Sequence, residues 1–158
     1  MKIYWDEIEV YADEYLKILD ITEDVKKVVD RSGIKNGHII VHNPKPTSGL
    51  AINEHDEDLW KDLLDAYQRL VPMHSRDYRH DAKYRGIAQE ENTHGHILNT
   101  FIGSNVTILI RDGALVLGTW QKILYMSIDN LRACNLLKYT CSKTFSHNSD
   151  RYVSCLLI

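Results

Sequence analysis

Four of the eight histidines of this chain, His74, His80, His94 and His96, fall in one polar stretch between an amphipathic segment and a return of apolar alternation. Imidazole both binds metals and moves protons near neutral pH, so such a run points to chemistry. Two strings carry the signal, Asp77-Tyr78-Arg79-His80 and Thr93-His94-Gly95-His96. His80 and His96, joined by His94 or His74 and by a carboxylate such as Glu54, would offer nitrogen and oxygen ligands to a divalent ion, zinc or magnesium. Whether His94 and His96 act together depends on the backbone. An extended segment puts both rings on one side, whereas a helix turns them more than a quarter turn apart and leaves one per site. The plain alternative is a histidine-rich surface loop.

Phosphate binding is the second chemistry the residues offer. Lys45, Arg79 and Arg111 stand beside turns or loops, where backbone donors also face an anion, and Thr47-Ser48-Gly49 adds hydroxyls. The plain reading is that single cations near turns are solvated, and no Walker-type or dinucleotide-type glycine string supports more. Glu54, after Asn53 at a strand-to-helix junction, suits a general base, a metal ligand or part of an acidic helix start; Asp56, Glu57 and Asp58 suit only the last. In Gly118-Thr119-Trp120-Gln121 a glycine interrupts a strand, Gln121 could orient a polar substrate, and Trp120 reads as core.

The elements that must position these groups follow from periodicity. Ile3 and Trp5, then Ile8 and Val10 out of phase, suit a strand with a bulge or bend, to which Tyr15 to Leu19 could pair. Thr22 is the expected N-cap of a helix carrying Val25, Val28 and Val29, stopped by Gly33. Residues 38–43 read as a buried strand, 44–49 as a loop with two prolines, and 50–53 as renewed sheet. The clearest helix spans Asp56 to Leu70, with Leu59, Leu63, Leu64, Tyr67 and Leu70 on one face. Ile97, Phe101 and Ile102 suggest a short helix ended by Gly103. Val106, Ile108 and Ile110 alternate toward Asp112-Gly113, a strong hairpin signal, and Leu115 and Leu117 continue the return strand. Strands at Thr119 to Ile128 and around Leu136 to Thr140 follow, then a polar stretch 142–149 and an apolar end, Tyr152 to Ile158, able to dock somewhere. The order fits a single α+β domain, mainly antiparallel, with two main helices on one face.

Bulk properties narrow the class. A 158-residue chain with 44% apolar and 26% charged residues is one soluble-type domain, neither disordered nor a disulfide scaffold. Its net charge of −3 argues against a nucleic-acid binder held by a general basic surface, and no stretch is long and apolar enough to cross a membrane. The amino terminus lacks the apolar run of a signal peptide, so the cytoplasm is the expected location. Cys134, Cys141 and Cys155 lack Cys-x-x-Cys spacing and read as buried or incidental thiols.

Leu50-Ala51-Ile52-Asn53-Glu54, Asp77-Tyr78-Arg79-His80, His94-Gly95-His96-Ile97, Arg111-Asp112-Gly113 and Gly118-Thr119-Trp120-Gln121 occur in the order seen in the YjbQ-like family, which the chain resembles over roughly residues 1–140. Members are often described as secondary thiamine-phosphate synthases. The resemblance implies a twisted, barrel-like sheet and a homotrimer with a polar site near a subunit boundary. The implied reaction joins hydroxymethylpyrimidine diphosphate to thiazole phosphate and releases pyrophosphate. Glu54, His80 and His96 match the family's polar site residues, and Asp112, Thr119 and Gln121 its later motifs. On this basis Glu54 would bind metal or pyrimidine, His80 and His96 would ligate metal or donate protons, and Lys45 and Arg79 would hold the diphosphate. Two other readings use the same residues: a metal-assisted hydrolase, and a trimeric protein that only binds a phosphorylated metabolite.

The chain departs from the family in two places. Pro44-Lys45-Pro46-Thr47 stands where the family has Pro-His-Thr-Thr, and lysine does not serve as a neutral imidazole does. The family domain also ends near residue 141, which makes 142–158 a C-terminal extension.

Overall fold

The structure, a computed structural model, describes residues 2–12, 16–73, 75, 77–85, 91–129 and 152–158. His74, the strand expected around Leu136 to Thr140 and the polar stretch 142–149 lie outside them. In chain order the elements are β1 (Tyr4–Glu9), β2 (Lys17–Asp20), α1 (Thr22–Ser32), β3 (Gly37–His42), β4 (Ser48–Glu54), α2 (Glu57–Leu70), α3 (Arg79–Lys83), α4 (Thr93–Ile102), β5 (Asn105–Arg111), β6 (Ala114–Leu115), β7 (Gln121–Ser127) and β8 (Tyr152–Leu157). Five strands form one sheet in the order β1-β8-β3-β5-β6, and three form another in the order β2-β7-β4. Every pairing is antiparallel. This is the antiparallel α+β domain that the order of elements predicts, with the curled sheet that the resemblance implies.

Side-chain alternation explains the layers. In β7 Ile123 and Tyr125 point into one hydrophobic cluster, Leu124 and Met126 into the other, and all four are buried. The first cluster joins the two sheets and takes in Val25, Val28 and Val29 of α1; the second lies under α2 and α4, through Trp60, Leu63, Leu64 and Leu98. Each fully buried aliphatic side chain contributes about 1.5–3 kcal/mol, so a strand buried on both faces anchors the domain. The helices that share a face are therefore α2 and α4, while the valine stripe of α1 faces the first cluster.

Local chemistry sets the element ends. Asp56 caps α2, its carboxylate accepting from the Leu59 N–H at 2.7 Å, and Gly33 ends α1 at φ 64°. Asp112 and Gly113 have φ 53° and 82°, the pair of left-handed residues that a two-residue type I′ hairpin requires, between the paired Arg111 and Ala114. Thr22 is the first helical residue and not the N-cap; its hydroxyl accepts from the Ile123 N–H at 2.8 Å and so ties α1 to β7.

Two long-range features correct the expectations, and a third shows where the apolar end of the chain docks. β1 runs in unbroken six-residue register with β8, with Ile8 turned inward and Ile3 and Trp5 exposed, so it needs no bulge. β2 pairs with β7 and not with β1. β8, formed by the apolar end of the chain, is inserted between β1 and β3, with Cys155 and Leu157 fully buried. Among the described residues no helix is long and apolar enough to cross a membrane.

Candidate functional site

Histidine placement is decided by where α4 begins. The helix starts at Thr93, earlier than the apolar residues alone suggest, so His94 and His96 point in different directions. His94 is fully buried, whereas His96 is half-buried, with its ring 5.2 Å from that of His80. The start of α4 is capped from a distance. Asp81, the residue after His80, accepts from the Thr93 N–H at 3.0 Å and from the Thr93 hydroxyl at 2.5 Å, and lies 3.7 Å from His80 Nδ1. A carboxylate there also opposes the positive end of the helix dipole. Tyr78 of the same string donates to the Pro72 carbonyl, and burial, followed by the Asp81 charge, pushes its hydroxyl pKa up.

His96 opens onto a cleft of about 560 Å³ whose other walls include His42, Asn43, Lys45, Asn99 and Ser104. The loop carrying Lys45 is held from both sides. Asn43 donates to the carbonyls of Lys45 and Ser48 at 3.1 and 2.7 Å, and Asn99 of α4 donates to the Ser48 carbonyl at 2.6 Å. The ammonium of Lys45 donates to the main-chain carbonyl of Asp129 at 3.1 Å. Thr47, buried at the end of this loop, packs on α4 at Gly95; a Cβ there would lie 3.1 Å from Thr47 Cβ and 3.1 Å from Asp129 Cβ. Glycine thus lets the helix approach both segments. Asn43, Asp81, Asn99 and Asp129 all shape this region and none was singled out by spacing. Only Asp81, adjacent to the quoted histidine string, had a local signal.

The other flagged residues stand elsewhere. Ser48 and Glu54 are the two ends of β4, about 20 Å apart at the rise of an extended strand. Glu54 pairs in register with Gln121, and its carbonyl accepts from the Trp60 indole at 2.9 Å. Asn53 is exposed beside it, with its side chain accepting from the Glu54 N–H. Gln121 is committed locally, its side-chain oxygen accepting from the Gly118 N–H at 2.8 Å; Thr119 is exposed in that turn, and Trp120 is 70% exposed, which corrects its assignment to the core. Arg111 and Asp112 are exposed at the β5–β6 hairpin, where the Asp112 N–H reaches Asn36. Arg79 is exposed at the start of α3. One chain therefore brings Lys45 and His96 to one cleft, with His80 beside His96 and Thr47 against Gly95, whereas His94 is buried apart from His96 and Glu54 stands at the other end of β4 from Ser48.

A tetrahedral metal site needs three or four protein donors. Among the described residues no three His, Cys, Asp or Glu side chains gather to hold an ion, and His74, one of the expected ligands, lies outside them.

At the Glu54 end, Asp20 accepts from the Thr22 N–H at 2.9 Å and pairs with His55 Nδ1 at 2.8 Å, tying the starts of α1 and α2. Burial opposes ionisation of Asp20, but the Thr22 hydroxyl, His55 and the Thr22 N–H outweigh it and hold the carboxyl below its ordinary 3.8. A lowered folded pKa contributes stability above the unfolded value, and that stability is lost as pH falls through the folded one. Asp20→Asn is expected to destabilise the protein at pH 7 by about 1.5–3 kcal/mol, the worth of a hydrogen bond to a charged group. The deficit should shrink as the pH falls below 3.8. Urea melts at both pH values check this; an equal deficit at both contradicts it.

With the geometry described, comparison with known proteins places the chain. The family model described as "UPF0047 protein YjbQ-like" matches residues 6–145. The chain belongs to the YjbQ-like family. It is 32% identical over 126 residues to a UPF0047 protein of Archaeoglobus fulgidus, covering 80% of this chain and 92% of that one. It is 31% identical over 117 residues to the UPF0047 protein YugU of Bacillus subtilis, covering 73% and 83%. Among solved structures, a YjbQ-like protein of unknown function from Sulfolobus solfataricus superposes with a TM-score of 0.79 at 28% identity, covering 99% of this chain and 96% of that one. A YjbQ-family protein of Clostridium acetobutylicum gives 0.71 at 30%, covering 98% and 99%. The family match ends at residue 145, so β8 lies beyond it in sequence while completing the YjbQ-like sheet in space.

Proposed function

We propose that this YjbQ-like chain binds a small phosphorylated metabolite in the Lys45–His96 cleft and acts on it as a thiamine-phosphate synthase-type transferase. The observation that carries the reading is the fixed ammonium of Lys45 in a cleft shared with His42 and His96. A positive charge and imidazole N–H donors lining one cleft suit a diphosphate. In the reaction the bond from the pyrimidine's methylene carbon to the diphosphate oxygen breaks. A bond from that carbon to the thiazole nitrogen forms, and pyrophosphate leaves. Lys45 holds the departing charge and His96 donates a hydrogen bond or proton to the leaving oxygen, which is where electrostatic stabilisation lowers the barrier. No strong base is needed.

Glu54, Asn53, Thr119 and Gln121 join this chemistry only if a neighbouring copy brings its Glu54 end to the cleft. The reading therefore includes the homotrimer that the family resemblance implies, with the reaction at a subunit boundary in the cytoplasm. Light scattering should return about three chain masses, the mark of a closed ring with a heterologous interface; a monomer at assay concentration contradicts it.

Single-turnover release of pyrophosphate from hydroxymethylpyrimidine diphosphate with thiazole phosphate tests the activity. His96→Ala should slow it about 100-fold, the usual worth of a positioned acid. An unchanged rate removes His96 from the mechanism. Tight binding without turnover in the wild type would leave a metabolite-binding protein in place of the transferase.

A further inference from the structure

We propose that Asp20 and His55 form a second reactive centre, apart from the Lys45–His96 cleft, in which His55 Nε2 is the nucleophile for an uncharged acyl donor, an ester or thioester. The inference stands independently of the phosphate reading. The imidazole is held from two sides. Asp20 accepts from its Nδ1 at 2.8 Å, and the Trp60 ring lies 4.5 Å away at 42°, itself held by its indole N–H on the Glu54 carbonyl at 2.9 Å. Asp20 is fixed in turn by the Thr22 N–H at 2.9 Å, and the Thr22 hydroxyl is tied to β7 through the Ile123 N–H.

An ionised carboxylate only accepts, so the ring hydrogen sits on Nδ1 and the neutral ring carries its lone pair on Nε2. The His55 side chain is 46% exposed, and it makes no other hydrogen bond among the described residues. A carboxylate behind one nitrogen and an open lone pair on the other is how an imidazole is oriented for acyl transfer. In the step Nε2 bonds to the acyl carbon, and the alcohol or thiol leaves with the electron pair of the broken bond. The positive charge gained by the ring faces Asp20. The Nδ1 proton then passes to water, which protonates the leaving group, and hydrolysis of the acyl-imidazole restores the ring. The acidic first turn of α2, Glu57 and Asp58, follows directly and disfavours an anionic donor.

Diethyl pyrocarbonate and p-nitrophenyl acetate, applied to the full chain at pH 7, are the probes. Peptide mapping should show carbethoxylation of His55 ahead of His42, which is exposed as well. Asp20→Asn should slow labelling of His55 about 10-fold, the kinetic equivalent of a hydrogen bond to a charged group, and leave that of His42 unchanged. A general loss of structure would change both histidines, so the contrast isolates the positioning role of Asp20. The wild type should release nitrophenolate about 10-fold faster than His55→Gln. Labelling of His55 no faster than of His42, labelling unaltered by Asp20→Asn, or equal nitrophenolate release by wild type and His55→Gln overturns the proposal.

Discussion

Deleting Tyr152–Ile158 is expected to abolish cooperative folding. β8 lies inside the five-stranded sheet, paired with β1 over six residues and with β3 over four. Without it β1 loses its partner, β3 becomes an edge, and the first cluster loses Cys155 and Leu157, both fully buried. Truncating one such side chain, as in Leu157→Ala, costs about 2–5 kcal/mol. Domains of this size are stable by about 5–15 kcal/mol, so losing the whole strand leaves nothing in reserve. The Cys155 thiol illustrates the dry interior, since burial pushes its pKa up to about 12. Near-ultraviolet circular dichroism and urea melts of the truncated chain provide the check. A truncated protein that melts cooperatively at the wild-type midpoint would mean that β8 is dispensable.

Lys45→Met should weaken pyrophosphate binding by about 10- to 100-fold, because a hydrogen bond to a charged group is worth about 1.5–3 kcal/mol. The structure anchors this ammonium by a hydrogen bond to the Asp129 carbonyl, two residues beyond the end of β7. Methionine keeps the stem and removes the charge, so the melting temperature without ligand should change little. The wild-type affinity should fall with rising salt and the variant's much less, since screening acts only on charge. Equal affinities of the two proteins in low salt would place the phosphate elsewhere, with Arg79 and Arg111 as the next cations to test.

The histidine run contains two rings that come together, but the neighbours around them are hidden from spacing. His80 and His96 meet because α3 and α4 are brought side by side, and the link that fixes α4 is Asp81, which a search for histidines passes over. Glu54 belongs to the same ordered set of family strings, yet the straightness of β4 carries it away from the cleft. Motif order records ancestry; it carries no distance.

By itself the sequence determined the elements whose cause is local. The Asp112-Gly113 hairpin, the Asp56 cap, the stop at Gly33 and the amphipathic face of α2 follow from residues within one turn of each other. The ordered strings likewise determined the family. Only the tertiary structure decided which strands pair, that the last apolar residues enter the sheet between β1 and β3, and that β2 joins β7. The reason is physical. Periodicity states that a face will be buried, whereas the partner that buries it is chosen by competition among all apolar faces, across separations that no local pattern encodes. The same holds for the site: the sequence named Lys45, Glu54, His80 and His96, and the fold put Lys45 and His96 in one cleft, His80 beside His96, and Glu54 at the end of β4 away from Ser48.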